Sequence, residues 1–300
     1  MAELSDTVKR ILACPRCGGG LAARGAGFFC ALCGDEYGRA AGGQIDLRLT
    51  RPKPVALKVV LESPFVPEEG IEISPLPGHP QPEVDVRHVK GPCHLPIDLR
   101  SYFPQAPEPG SLALDLGCGE QVHQEVCELA GFEYVGLDYG NEKAMILGDA
   151  QALPFANASF DFVLTVAVLE HVRFPLLMMQ EAFRVLKPGG RLLGTVSFLE
   201  PFHQQSYHHH THLGAYHALA FAGFTVDRVA PSGGWSGLEA QAHMGLFPQS
   251  PYWLARALVW PLLQLHKLWW RAGRLRDRNA TDANRRIKNS GAILFLAHKR

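Results

Sequence analysis

Four cysteines near the start of the chain stand in two pairs, Cys14 and Cys17 in "CPRC" and Cys30 and Cys33 in "CALC". Two intervening residues let both thiolates of a pair reach one ion, and Gly18 and Gly34 permit the tight turn behind each pair. Four thiolates suit Zn2+ in a tetrahedral site with no position open to water, so the predicted ion is structural. A segment this short in apolar runs depends on that ion for its folding. A second candidate is "LALDLGCGEQ", an apolar run that ends in Asp115, Gly117 and Gly119. Bare backbone at two alternate positions admits a ligand close to the main chain. A dinucleotide fingerprint would need a third glycine at 122, where Val122 stands, and no Gly-Lys-Ser/Thr follows to cradle a phosphate. A third candidate is "FHQQSYHHHTHLGAYH", with His203, His208, His209, His210, His212 and His217. No acid accompanies these histidines in that stretch, so we expect one or two of them, His210 and His212, to line an acceptor site rather than to hold a metal.

The elements needed to position these groups follow from periodicity. Apolar strands are expected at "SLALDLG", "FEYVGLDY", "FDFVLTVAV", "RLLGTVSF", "TVDRVAP" and "GAILFLAHKR". Helices are expected at "QVHQEVCELAG", "PLLMMQEAFRVL" and "LGAYHALAFAGF", with "KPGG" as a stop and turn after the second. Alternation of this kind predicts an α/β fold. Composition divides the chain into a Cys- and Gly-rich segment over 1–50, a proline-rich extended linker over 51–91, and the α/β domain over 92–300.

The 300 residues carry 29 Lys and Arg against 29 Asp and Glu, yet the charge is unevenly placed. Beyond Ser250 eleven Lys and Arg face only Asp277 and Asp282, so this region is +9. No secretory leader and no run long enough to span a bilayer stand out, and paired cysteines fit a reducing compartment. The expectation is a cytoplasmic protein, in one reading peripheral to a membrane.

Several motifs in order resemble the class I S-adenosylmethionine-dependent methyltransferases over 92–300. "LDLGCGE" is similar to their glycine-rich first motif, "YVGLDY" to the strand bearing their ribose-binding acid, and "GDAQALPFANASFDFVL" to their adenine-binding segment. "VLEHV" and "VLKPGGRLLGTV" resemble their fourth-strand exit and fifth-strand entry. The resemblance implies a Rossmann-like seven-stranded sheet and S-adenosylmethionine held by Asp115, Gly117, Gly119, Asp138, Tyr139, Asp149 and Ala150. In it Asp138 takes the ribose hydroxyls, Asp149 the adenine amine, and Ala150 offers backbone. Two departures stand out: Gln121 replaces a frequent third glycine, and only ten residues separate Asp138 from Asp149. The helix usually found between those acids must be short or absent. The N-terminal segment, ending in "GQIDLRL", resembles the small zinc ribbons placed before bacterial methyltransferases.

Methyl transfer from a sulfonium asks chiefly for alignment, with a base where the acceptor is protonated. His171 in "VLEHV" would face the methyl group in this fold and joins His210 and His212 as a catalytic candidate. The abbreviated adenine segment resembles that of a subgroup associated with bacterial surface-sugar, lipid or secondary metabolism, and this resemblance implies a small-molecule or lipid- or sugar-linked acceptor. The alternatives are an RNA methyltransferase using the ribbon for recognition, and a binding protein without turnover. Over "PYWLARALVWPLLQLHKLWWRAGRLRDR", Arg256, Lys267, Arg271, Arg274 and Arg278 share one helical sector, and most leucines lie opposite. Pro261 is expected to divide this insert into two helices. The expected placement is a lid over the pocket, with contact to a membrane surface as the alternative.

Overall fold

The computed structural model describes residues 4–59, 73–86, 89 and 95–300. At the N-terminus, α1 (Asp6–Ile11) is capped by Ser5, whose hydroxyl accepts from Val8 N at 3.1 Å. It leads into three short antiparallel strands, β1 (Leu21–Arg24), β2 (Gly27–Cys30) and β3 (Glu36–Tyr37). β4 (Ile45–Asp46) then leaves this small sheet and joins a larger one.

After α2 (Ile97–Arg100), the larger sheet is built from β5 (Leu112–Leu116), β6 (Glu133–Asp138), β7 (Ile146–Leu147), β8 (Phe160–Val166), β9 (Leu186–Ser197), β10 (Thr225–Pro231) and β11 (Ala292–His298). Its order is β10-β11-β9-β8-β5-β6-β7-β4. β11 is antiparallel to both of its neighbours, and the pairs from β9 to β4 are parallel. Seven strands come from the segment in which seven were expected; the ribbon adds the eighth at the edge. β5 and β8 are buried along nearly their whole length, as parallel strands covered on both faces must be. Helices α3 (Gln124–Leu129), α4 (Pro175–Val185) and α5 (His212–Ala222) follow β5, β8 and β9, respectively. α4 passes straight into β9. "KPGG" is therefore not a gap between elements but an irregularity inside β9, where the register with β8 shifts between Phe160 and Phe162.

The ribbon and the large sheet share one apolar core. Leu12, Tyr37 and Leu47 are buried in the same cluster as Leu116, Leu137, Ile146 and Phe155. Ala13 N also donates to Pro154 O at 2.9 Å, and Leu47 N to Leu147 O at 2.8 Å. In the proline-rich segment, part of the expected linker (60–72, 87–88 and 90–91) lies outside the described residues. Its described parts lie on the protein: Leu76 and Val86 are buried, and Glu83 pairs with Arg191 at 2.6 Å.

Between β10 and β11 lie α6 (Gly237–Ala240) and, in the insert expected over about 250–290, α7 (Tyr252–Gly273) and α8 (Asp282–Asn289). α7 runs unbroken through Pro261, contrary to the expected division. A proline removes the bond to the carbonyl four residues back, here Ala257, and Ala257 is exposed, so water can take that carbonyl. The lid expectation fails for most of α7. Only Ala255 and Val259 are buried on it, whereas Trp253, Leu258, Trp260, Leu262, Leu265, Leu268 and Trp269 are exposed.

A candidate active site at the strand ends

The loops after β5, β6 and β8 meet at the carboxyl ends of the parallel strands, where open α/β sheets take their ligands. They enclose a cleft of about 2270 Å3. Gly117, Gly119, Asp138, Tyr139, Asp149, Ala150 and His171 all line it.

The glycine turn is explained by conformation and space. Gly117 has φ +77, and a Cβ there would stand 2.4 Å from Val168 Cγ2. Gly119 has φ +50 and meets nothing within 4 Å, so its bare backbone is open to a ligand. Gln121, where the related motif often has a third glycine, has φ +60 and keeps the left-handed conformation without being glycine.

Asp138 ends β6 and is fixed by backbone donors. Its Oδ1 accepts from Gly140 N and Asn141 N, both at 2.9 Å, and its Oδ2 from Gly119 N at 3.1 Å. The acid and the glycine turn are thereby one unit. The residues from Tyr139 to Met145 form no helix; bends and a turn lead directly into β7. Asp149 accepts from the backbone and side-chain nitrogens of Gln151, at 2.8 and 3.1 Å, both on Oδ1. Tyr139 is 65% exposed, and the Arg48 guanidinium lies 5.7 Å from its ring centre.

Three expected site residues lie elsewhere. Asp115 is buried beneath the turn and does not line the cleft; it accepts from Tyr134 Oη at 2.8 Å and from His123 Nδ1 at 3.1 Å. Inward-facing in a doubly covered strand, it holds the layer below the glycines. His210 and His212 also lie outside the cleft lining. His210 N donates to Ser197 O at 2.8 Å, and burial brings the His210 imidazole down to about 4. His212 is the first residue of α5, set there by the Thr211 cap. The histidines that reach the cleft are His123, His171, His203 and His243, and His123 is the one bonded to Asp115. Burial, and then the neighbouring His203, hold His171 below the ordinary imidazole range.

Sequence reasoning missed Glu200, Trp235 and Tyr252 on the cleft wall. Trp235 Nε1 donates to Glu200 Oε1 at 2.5 Å. Leu49, Lys53, Val55 and Leu57, which follow the ribbon, also line the cleft. No local motif marks any of these residues; each arrives from a separate part of the chain.

The four cysteines converge on one another outside the cleft lining. Their sulfurs all lie within 4.8 Å of one another, with Cys14 to Cys33 at 3.6 Å and Cys17 to Cys30 at 3.4 Å. Burial pushes the Cys14 thiol up, but hydrogen bonds from the Tyr37 hydroxyl and from the backbone outweigh it and bring it to about 7. Four sulfurs in this cluster fit a tetrahedral thiolate site.

Residues 114–194 match the family model described as a methyltransferase domain. Demethylmenaquinone methyltransferase of Renibacterium salmoninarum is 38% identical over 96 residues, covering 28% of this chain and 40% of that protein. A putative methyltransferase of Encephalitozoon cuniculi is 37% identical over 91 residues, covering 28% of this chain and 43% of that protein. The chain thus spans less than half the length of these relatives. Among solved structures, a SAM-dependent methyltransferase from Archaeoglobus fulgidus aligns with 67% of this chain and 91% of its own, at 16% identity and a TM-score of 0.45.

Proposed function

We propose that this chain, which carries a methyltransferase domain over residues 114–194, transfers a methyl group from S-adenosylmethionine to a small-molecule or lipid- or sugar-linked acceptor. The observation that carries the reading is the unit of Gly119 and Asp138, joined at 3.1 Å on the floor of a cleft that Asp149 and His171 also line. The cleft fits the cofactor. Open space over Gly119 admits its methionine end, and a carboxylate at Asp138 accepts from vicinal hydroxyls. Asp149 Oδ2, the oxygen not bonded to Gln151, accepts from an exocyclic amine.

Bound there, S-adenosylmethionine supplies a methyl group already activated by its sulfonium. The residues of this chain then have a task of placement. Gly117 and Gly119 set the depth at which the ligand lies, Asp138 and Asp149 fix its two ends, and Val168 and His171 wall the side toward the acceptor. Ala150 offers backbone, and Tyr139, steadied by Arg48, flanks the rim. In the ribbon, Cys14, Cys17, Cys30 and Cys33 hold a structural Zn2+ outside the reaction.

Among the described residues no helix is long and apolar enough to cross a membrane. The exposed tryptophans and leucines of α7, flanked by Lys267, Arg271 and Arg274, support contact with an anionic lipid surface.

Calorimetry with S-adenosylmethionine tests the main reading. The protein should bind it, and Asp138→Ala should weaken binding at least tenfold, about 1.4 kcal/mol. A wild-type protein that shows no binding would overturn the proposal.

A further inference from the structure

We propose that Glu170, His171 and His203 form a site for one divalent transition-metal ion on the acceptor side of the cleft, separate from the four cysteines. One ligand atom from each of the three lies within 4.8 Å of the others. An ion at about 2.1 Å from each atom holds its ligands within about 4.2 Å of one another, so the three need draw together only slightly.

The atoms left over by the surrounding hydrogen bonds are the ones a cation would use. Glu170 is fully buried. Ser197 Oγ lies between two carboxylates, 2.7 Å from Glu170 Oε1 and 2.5 Å from Glu200 Oε2, while Glu170 Oε2 is buried and has no hydrogen-bond partner. His171 Nδ1 is likewise buried and unpartnered. His203 Nδ1 donates to Pro201 O at 3.0 Å, which fixes the tautomer and leaves Nε2 with a free lone pair. Such outer bonds, to a hydroxyl on the carboxylate and to a carbonyl on the imidazole, are those that orient metal ligands. Glu200 adds negative charge: its Oε2 stands 3.8 Å from His203 Nε2.

Two imidazoles and a carboxylate favour Zn2+, Fe2+ or Mn2+ over the all-oxygen cages of Ca2+ and Mg2+. Three protein ligands leave coordination positions open. His171 and His203 line the cleft, so those positions face its interior. An acceptor presenting a hydroxyl or carboxylate oxygen would bind there, and metal coordination would ease loss of a hydroxyl proton to water. This role for the acceptor, unlike the site itself, rests on the methyl-transfer reading.

The test is a Zn2+ titration of the full chain by calorimetry, with the cysteine site already filled and excess metal dialysed away. The expected result is one further ion per chain, with affinity reduced at least tenfold in Glu170→Gln and in His203→Asn and unchanged in His208→Asn. Circular dichroism confirms that each variant is folded. His203 is partly exposed, so His203→Asn decides the matter where the buried Glu170→Gln does not fold. The proposal is overturned if the wild type takes no further ion, if His203→Asn binds it undiminished, or if His208→Asn loses it equally. Binding of S-adenosylhomocysteine, measured separately, reports on the methyl-transfer reading, so the two can fail independently.

Discussion

Arg48, two residues beyond β4 of the ribbon, sets its guanidinium 5.7 Å from the centre of the Tyr139 ring and donates to the Tyr139 carbonyl at 3.2 Å. Asp46 holds the other edge of that guanidinium at 2.5–2.8 Å. The ribbon therefore braces the residue that follows Asp138 at the cleft rim. Arg48→Ala should weaken S-adenosylmethionine binding about three- to tenfold, roughly 0.7–1.4 kcal/mol, because part of the cation–π contact and hydrogen bond that steady Tyr139 is lost. Calorimetry on a variant with a near-normal melting temperature checks it; unchanged affinity would detach the ribbon from the cofactor pocket.

Metal content tests the cysteine cluster. Protein purified without added metal should contain about one zinc per chain, and Cys14→Ser/Cys17→Ser should contain none. Because Cys14 and Cys30 are buried in the core shared with Phe155 and Ile146, loss of the ion should lower the melting temperature of the whole chain. Competition between protons and zinc for the thiolates makes chelator extraction faster as the pH falls. Zinc retained in the dialysed double variant, and lost when His203→Asn is added, would place that ion at the histidine cluster instead.

Liposome co-sedimentation tests α7. Binding to anionic vesicles should occur at low salt, fall as salt is raised, and fall further in Trp269→Ala/Trp270→Ala. Trp269 is 75% exposed, so its removal should leave the fold intact, whereas Trp270 stacks on His266 and lies under Lys288. Absence of binding at low salt would remove the membrane from the account of this helix.

Much of the cleft was legible from contiguous residues. The turn at Gly117 and Gly119 is a demand on local backbone geometry, and local demands leave a mark at fixed spacing. The same is true of the cysteine pairs, whose two-residue gaps prescribe the knuckle. The ten residues between Asp138 and Asp149 left room for a short helix or none, and the structure decides for none because β7 takes part of that length. Asp115 shows the limit of such reading. Spacing marks it as part of the motif, but it lies in a strand covered on both faces, and its partners Tyr134 and His123 come from elements outside the motif.

The sequence by itself determined the α/β alternation, the glycine turn with its acids and the four-thiolate cluster, because each depends on residues close together in the chain. Tertiary structure decided which distant residues meet. β4 joins the large sheet because β7 offers an open parallel edge, and this carries Arg48 to Tyr139. α7 lies exposed because only Ala255 and Val259 find neighbours to bury them. The acid missing from the histidine tract is Glu170, 33 residues before His203. It meets that histidine because β8 and β9 are parallel neighbours and the loops beyond both open on the same end of the sheet.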